Sequence, residues 1–471
     1  MALDLANFAV DQLSKKGASY VEARLESHAG TGFLLKNGVV EAASFGETKG
    51  LGVRFIINGT LGFFDTNILE KNVVRNLIDS SLRVTKRSSK IGENLVLSSE
   101  KKAKAKYSIK QKVNFGDIDP EIKIKELLDL EKSLVASHIT LPTRYFELGD
   151  DVASKYFVNS EGTQITSEIP RISLFYLFTV REASTTAQRM WHFGGVGGFE
   201  CFRKWDASKK LPEEARALQE MLAFSKSPPK GNVDVVVAPE ITGIMAHESV
   251  GHPYESDRIL GREGAQAGES FATPNILGTK IGRDVVNVVD DPTLPGSFGF
   301  YLYDDEGVKA RRKHLITEGK ITEFLNNRET AAALGVHSNG SARALNFDVE
   351  AIVRMSNTFV LPGDYKEEEL FEDVKLGVYM KNFMEWNIDD IRMNQKYVGS
   401  EAYLIEKGEI KGAVKAPVIE ITTPALWGSI DAIANKAEYH AATCGKGEPM
   451  QGMPVWMGGP AMRIRKVKVA R

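Results

Sequence analysis

The segment His247-Glu248-Ser249-Val250-Gly251-His252 puts two imidazoles and a carboxylate within six residues, just after an apolar run. Two neutral imidazoles can hold a zinc ion, and an adjacent carboxylate can take a proton from the water that attacks a carbonyl. The chemistry implied is metal-assisted hydrolysis, but the spacing is unusual. In the common zinc-hydrolase motif the histidines are four apart and share a helix face. Five apart, they are separated by roughly 500° of helical rotation, about 140° out of register. Either a π-type widening or a helix end must bring His252 back towards His247. Gly251 immediately before His252 and Pro253 immediately after it make a helix end the simpler solution.

Two ligands would fix a zinc poorly, so a third is expected. Cys444 is the candidate: thiolate suits zinc, and Thr443-Cys444-Gly445-Lys446-Gly447 reads as a loop that bends freely. The plain alternative is a small buried hydrophobe. Glu248 is the candidate general base, passing the proton on to the leaving amine; its plain alternative is an exposed helix acid. Glu255 and Asp257 are placed to orient an imidazole through its second N–H, although solvated loop acids are the preferred reading. His440, four residues before Cys444, raises a rival Cys–His nucleophile, which would still need a third group and an oxyanion hole. His28, His138, His192, His314 and His337 are isolated and read as structural or exposed. Residues 193–199 are glycine-rich but lack the Gly-Lys-Ser/Thr of a phosphate loop, so close backbone packing or a turn is expected.

The elements that must position these groups are legible in part. Leu5, Phe8, Ala9 and Leu13 recur at helical spacing up to Gly17. Val21, Ala23 and Leu25 alternate with Glu22, Arg24 and Glu26 as in a half-buried strand. Asn37-Gly38 and Asn58-Gly59 mark hairpin turns. Leu69, Val73, Leu77 and Ile78 predict a helix capped by Asn67. Residues 86–111 are rich in lysine and serine and read as a solvated insertion rather than a nucleic-acid groove, because no aromatic residues interleave. Asp119-Pro120 starts a helix, strands follow from about Lys155, and residues 212–224 form another helix. Ser227-Pro228-Pro229-Lys230-Gly231 is the expected boundary between a domain at 1–227 and one at 228–471. After it, residues 233–238 form a strand and Pro239 or Glu240 starts the helix that carries His247. Residues 315–321 and 404–410 each predict a hairpin.

The fold class expected is α+β: an N-terminal mixed domain, then a strand-rich, barrel-like domain carrying the metal-binding helix. A chain of 471 residues exceeds one ordinary core, and 42% hydrophobic with 26% charged residues describes a globular protein. A net charge of −2 gives no reason to expect nucleic acid or an anionic membrane as partner. No apolar run reaches the ~20 residues that span a bilayer, and the N-terminus lacks signal-peptide character. Two cysteines cannot build a disulfide framework, so a reducing cytoplasm is expected.

With these residues in view, the chain resembles the TldD/TldE (PmbA) family of metallopeptidases, and its TldD-like branch. The resemblance rests on the His247-Glu248-x-x-x-His252 motif, on Thr443-Cys444-Gly445-Lys446, and on the blocks at 303–307, 354–363 and 402–408. Leu35-Lys36-Asn37-Gly38 and Gly50-Leu51-Gly52-Val53-Arg54 add to it near the N-terminus. One departure is the long, methionine-bearing segment at 447–455 that follows Cys444. The resemblance implies zinc on His247, His252 and Cys444, with Glu248 as general base. It also implies hydrolysis of unstructured peptides or unfolded proteins and a dimer, with itself or with a TldE-like subunit. A regulatory subunit with a structural metal site is the competing expectation, and a closed four-ligand site would mark it.

Overall fold

The alternation at residues 21–26 opens a 17-residue strand, β1 (Tyr20–Lys36), which turns back at Asn37-Gly38 into β2 (Val39–Ile57). Both turn residues have positive φ, 48° and 82°, the geometry that selects Asn-Gly in a tight hairpin. Asn58-Gly59 repeats the device before β3 (Thr60–Thr66). With β4 (Lys104–Ser108), β5 (Thr143–Asn159), β6 (Gln164–Glu182) and β7 (Thr185–Val196), these form a seven-stranded sheet in the order β3-β2-β1-β5-β6-β4. β4 and β7 share the outer edge of β6, β4 along 164–168 and β7 along 171–182. The computed structural model describes residues 2–91, 94–264 and 268–470; Met1, Arg471 and, in the lysine-rich segment, Gly92 and Glu93 lie outside them.

Helices cover this sheet in two groups. α1 (Ala2–Lys15) and α2 (Lys71–Ser88) bury Leu5, Leu13, Val74 and Ile78 against Val53 and Phe55. α3 (Pro120–Val135), α4 (Glu200–Lys204) and α5 (Ala207–Phe224) bury Leu127, Phe202 and Leu211 against Phe146 and Tyr176. Asp119 caps α3 as its sequence predicts, its carboxylate accepting from the Glu121 N–H. Three expectations are corrected. Glu70, without a side-chain cap bond, precedes α2 in place of Asn67. β5 begins at Thr143, well before Lys155. Residues 86–111 are not a plain solvated insertion: the segment ends α2 and supplies β4, and the Ser98 carbonyl accepts from the buried Arg328. An edge strand with alternating lysines shows no apolar periodicity strong enough to be read.

From Gly231 on the chain builds two further large sheets that curl as half-barrels, so the class is α+β. β8 (Gly231–Val237) lies inside a nine-stranded sheet, between Met462–Ala470 and Leu376–Met380. The second, six-stranded sheet runs Lys320–Ile321, Lys313–Thr317, Val288–Asp290, Asn357–Val360, Gln451–Gly459, Glu438–Lys446. Between them lies α6 (Pro239–Ala246), every residue of it buried. Such a helix has no polar face to orient it, so shape does: a Cβ on Gly243 would stand 2.8 Å from the Gly458 nitrogen. α6 thus lies almost against the backbone of the Gln451–Gly459 strand.

Buried ions join the first sheet to these. Arg54 on β2 bonds Glu22 on β1 (2.8 Å) and Glu306 (2.5 Å). Arg189 on β7 grips Glu240 in the first turn of α6 with two bonds, 2.9 and 2.8 Å, and also bonds Glu214 on α5. A planar two-pronged pair fixes direction as well as distance. It ties the start of the motif-bearing helix to the other half of the chain.

Candidate metal centre

α6 runs into a π-turn over His247–Gly251 and then a 3-10 turn over His252–Tyr254. The N–H of His252 donates to the carbonyl of His247, a five-residue bond that closes the widened turn between the two histidines themselves. The expectation of a helix end at Gly251 is therefore corrected. Gly251 has ordinary right-handed angles, φ −57° and ψ −64°. Its missing side chain matters for packing: a Cβ there would meet the Met355 sulfur. The helix ends three residues later, where Glu255 turns extended.

The widened turn sets the two imidazoles edge to face, with centroids 4.8 Å apart. Cys444 completes the group. Its Sγ is 3.4 Å from His252 Nε2, and one ligand atom from each of the three residues lies within 4.8 Å of the others. Cys444 belongs to a strand, Glu438–Lys446, rather than to the flexible loop expected from its glycines; the hairpin turn follows at residues 447–450. Register explains the delivery: Cys444 is paired with Met453, on the same strand whose Gly458 packs against α6.

The surroundings prepare each group. His252 Nδ1 is 2.9 Å from Glu255 Oε2, a contact that fixes the ring with Nε2 facing Cys444. Glu255 is wholly buried and also accepts from Arg258, which corrects its reading as a solvated acid. Asp257 is buried too, but it receives two bonds from Lys446, at 2.7 and 2.8 Å, and does not orient an imidazole. Burial favours the neutral Cys444 thiol, yet the charges of His252, His247 and Arg354 outweigh it and hold the thiol well below its usual range. Arg354 also donates to the Cys444 carbonyl. Burial opposes charge on His247 as well, and the Cys444 thiolate, Glu248 and Glu255 raise it nonetheless. His247 Nδ1 is buried without a hydrogen-bond partner.

Glu248 is held by Arg392 (2.8 Å) and the Trp386 indole N–H (3.2 Å), both from the hairpin of Phe383–Ile388 and Asn394–Gly399. Neither partner was foreseeable from sequence, because an isolated arginine and tryptophan carry no motif. The three clustered residues and Glu248 line a cavity of about 660 Å³, whose opposite wall is the first sheet, including Ser173, Phe175 and His192. His192, read as isolated, is on that wall, and burial holds it down to about 4. His440 is not a partner for Cys444: four residues along one strand is about 13 Å. It packs edge-on against Trp191, and burial, with Arg189 and Lys210, holds it down to about 3. The glycines at 194 and 198 serve close packing, against Ala441 and the Val113 carbonyl respectively.

A thiol and two imidazoles, buried together beside a carboxylate in a cleft, form a donor set that could hold a metal ion. The match to known proteins is specific. The family models for the PmbA/TldA metallopeptidases match in three parts: domain 1 at residues 21–84, the central domain at 113–222 and the C-terminal domain at 230–471. The chain belongs to this TldD/PmbA family. It is 31% identical to a metalloprotease of Methanocaldococcus jannaschii, over 96% of this chain and 97% of that one. It is 27% identical, over 98% of both chains, to a protein of Saccharolobus solfataricus named a zinc metalloprotease TldD homolog. Its fold is that of TldE from Thermococcus kodakarensis, with a TM-score of 0.76 at 18% identity over the whole of both chains.

Proposed function

We propose that this chain is a zinc-dependent peptidase that hydrolyses peptide bonds in unstructured peptides or unfolded proteins. The observation that carries the reading is the donor set. Tetrahedral ligands at 2.0–2.3 Å from zinc stand roughly 3.3–3.6 Å apart, and Cys444 Sγ and His252 Nε2 are 3.4 Å apart. An imidazole nitrogen of His247 without a partner and a thiol held as thiolate fit a cation better than they fit a finished hydrogen-bond network. His247, His252 and Cys444 would hold the ion. Bound zinc supplies Lewis acidity towards a carbonyl and makes water a better nucleophile near neutral pH.

The chain's own groups do the rest. Glu248 takes a proton from the attacking water on its carboxylate and returns it to the leaving amine nitrogen. Arg392 and Trp386 hold that carboxylate in one orientation. Glu255 keeps the His252 proton on Nδ1. For the substrate, the Glu438–Lys446 strand pairs only with Gln451–Gly459, so its other edge is free of strand partners among the described residues. Residues 441–445 of that strand line the cavity. An extended peptide added along this edge would be held by main-chain bonds, with little demand on its side chains. The resemblance to TldE supports a working dimer, a homodimer or a heterodimer with a TldE-like subunit. Both cysteines are free thiols, which suits a reducing cytoplasm, and no described helix is long and apolar enough to cross a membrane.

The test is Glu248→Gln. The variant should retain zinc at the parent's stoichiometry and lose cleavage of an unfolded casein substrate. Undiminished cleavage by the zinc-loaded variant would overturn the role given to Glu248. Chelation should abolish the parent's activity, and added zinc should restore it.

A further inference from the structure

A second cavity, of about 580 Å³, adjoins the strand that pairs with the Cys444 strand. Met453 and Pro454 line it, and they are the register partners of Cys444 and Thr443, which line the metal cavity. Its other wall continues the first sheet: Asp151 and Arg171 follow Gly149 and Ser173 of the metal cavity at a spacing of two residues. A spacing of two keeps them on one sheet face, so the two cavities are neighbours along a single surface, roughly 7 Å apart per pair.

Most of the charges in this second cavity are matched. Lys155 bonds Asp305 at 3.0 Å, and His28 bonds Asp151 at 3.0 Å. Asp304 accepts the N–H groups of Glu306, Val308 and Ala342, and burial beside Glu306 raises its carboxyl well above the usual range. Asp348 is exposed. Arg171 and Arg343 remain. Arg171 donates only to the carbonyls of Phe298 (3.1 Å) and Phe300 (2.9 Å). Arg343, 3% exposed, donates only to those of Met355 (2.7 Å) and Pro454 (2.9 Å). Neither has a carboxylate within ion-pair distance among the described residues; burial and the charge of Arg343 lower Arg171 to about 10, against the weaker, more distant pull of Asp151 and Asp305. Carbonyl oxygens orient a guanidinium but do not neutralise it, and a buried charge offset only from a distance is costly. Arg171 Nη1 and Arg343 Nε have no protein acceptor among the described residues.

We infer that Arg171 and Arg343 form a carboxylate subsite, which engages an anionic group of a peptide lying along this surface while another part of it reaches the metal cavity. Guanidinium forks suit a carboxylate, and the carbonyls hold both forks in place before the ligand arrives. The carboxylate has two possible sources, the C-terminal α-carboxylate and an Asp or Glu side chain. The identity of the ligand as a peptide rests on the peptidase reading above.

The probes are three Ser-Val-Ser-Val-Ser-Val peptides carrying an uncharged dansyl label at the N-terminus: one with a free C-terminus, its C-terminal amide, and the amide with one valine replaced by glutamate. Binding is read by anisotropy on the full chain carrying Glu248→Gln, and cleavage on the parent. At least one anionic peptide should bind about tenfold tighter than the neutral amide, the worth of one charged hydrogen bond. A preference for the free C-terminus alone assigns the α-carboxylate; a preference for the glutamate peptide assigns a side chain. Arg171→Gln or Arg343→Gln should abolish the preference while leaving the neutral peptide's affinity unchanged, whereas a merely structural role would weaken all three alike. Equal affinities for the three peptides, or a preference that survives both substitutions, would overturn the subsite. Cleavage of the neutral amide without any anionic preference refutes the subsite and leaves the peptidase reading intact. Preferential binding with no cleavage of any peptide does the reverse.

Discussion

Gly251→Ala should damage the metal centre without touching a proposed ligand. Gly251 sits in a right-handed conformation that alanine adopts freely, so backbone preference alone would favour the change by about 1 kcal/mol. Packing opposes it. The new Cβ would meet the Met355 sulfur, with Met355 Cγ and Cε at 3.2 and 3.3 Å. Met355 is 1% exposed, so it has no room to swing into solvent. Overpacking of this kind costs about 1–3 kcal/mol, which leaves a net loss of up to about 2 kcal/mol after the helix preference is subtracted. The strain falls on the residue next to His252, so zinc affinity should fall by about tenfold or more, the equivalent of 1.4 kcal/mol. Urea unfolding of the metal-free protein measures the first effect, and competition with a zinc chelator measures the second. The decisive experiment is the cycle with Met355→Ala. In that background Gly251→Ala should become neutral or stabilising, a coupling of about 1–3 kcal/mol. Additive losses in the two backgrounds would refute the contact, and with it the account of why glycine stands inside the π-turn.

Three further outcomes follow from the same structure. Arg189→Met strands Glu240 and Glu214 in the interior and should cost about 3–5 kcal/mol of stability by denaturant melting, with Glu240→Gln in the same chain recovering part of it. Cys444→Ser should lower zinc affinity by more than the 10–100-fold typical of losing an outer partner, read by chelator competition; unchanged affinity would remove Cys444 from the site. Burial disfavours charge on His28, but the Asp151 and Glu26 carboxylates prevail over it and over Lys155, raising His28 to about 9. The stabilisation from its charge is therefore complete below about pH 6.5, declines as pH rises and is gone above about 9, a difference of about 3 kcal/mol. The gap in urea midpoint between the parent and His28→Gln should close over that interval; a gap that widened with pH would contradict the assignment.

Local chemistry explains which features were legible beforehand. The Asn-Gly turns at 37–38 and 58–59, the Asp119 cap and the hairpins at 315–321 and 404–410 follow from the backbone preferences of a few adjacent residues, and each is present. The failures share a cause. β4, read as a solvated insertion, is a strand because β6 offers it an edge, and Glu255 is buried because Arg258, Lys446 and His252 surround it. Partners remote in sequence supplied the stabilisation in both cases.

For the candidate centre, residue types alone determined that His247, Glu248 and His252 are suited to metal-assisted hydrolysis and that Cys444 can complete a donor set. Tertiary structure decided how these groups meet. The π-turn is closed by the His247–His252 backbone bond, and Met355 leaves no room in it for a side chain at 251. The arrival of Cys444 was decided by strand register and by the near contact of Gly243 with Gly458. Arg392 and Trp386 on Glu248, and the charges that line the second cavity, were likewise decided by packing. A ligand's chemistry resides in its own atoms, whereas its position depends on contacts between segments that are two hundred residues apart.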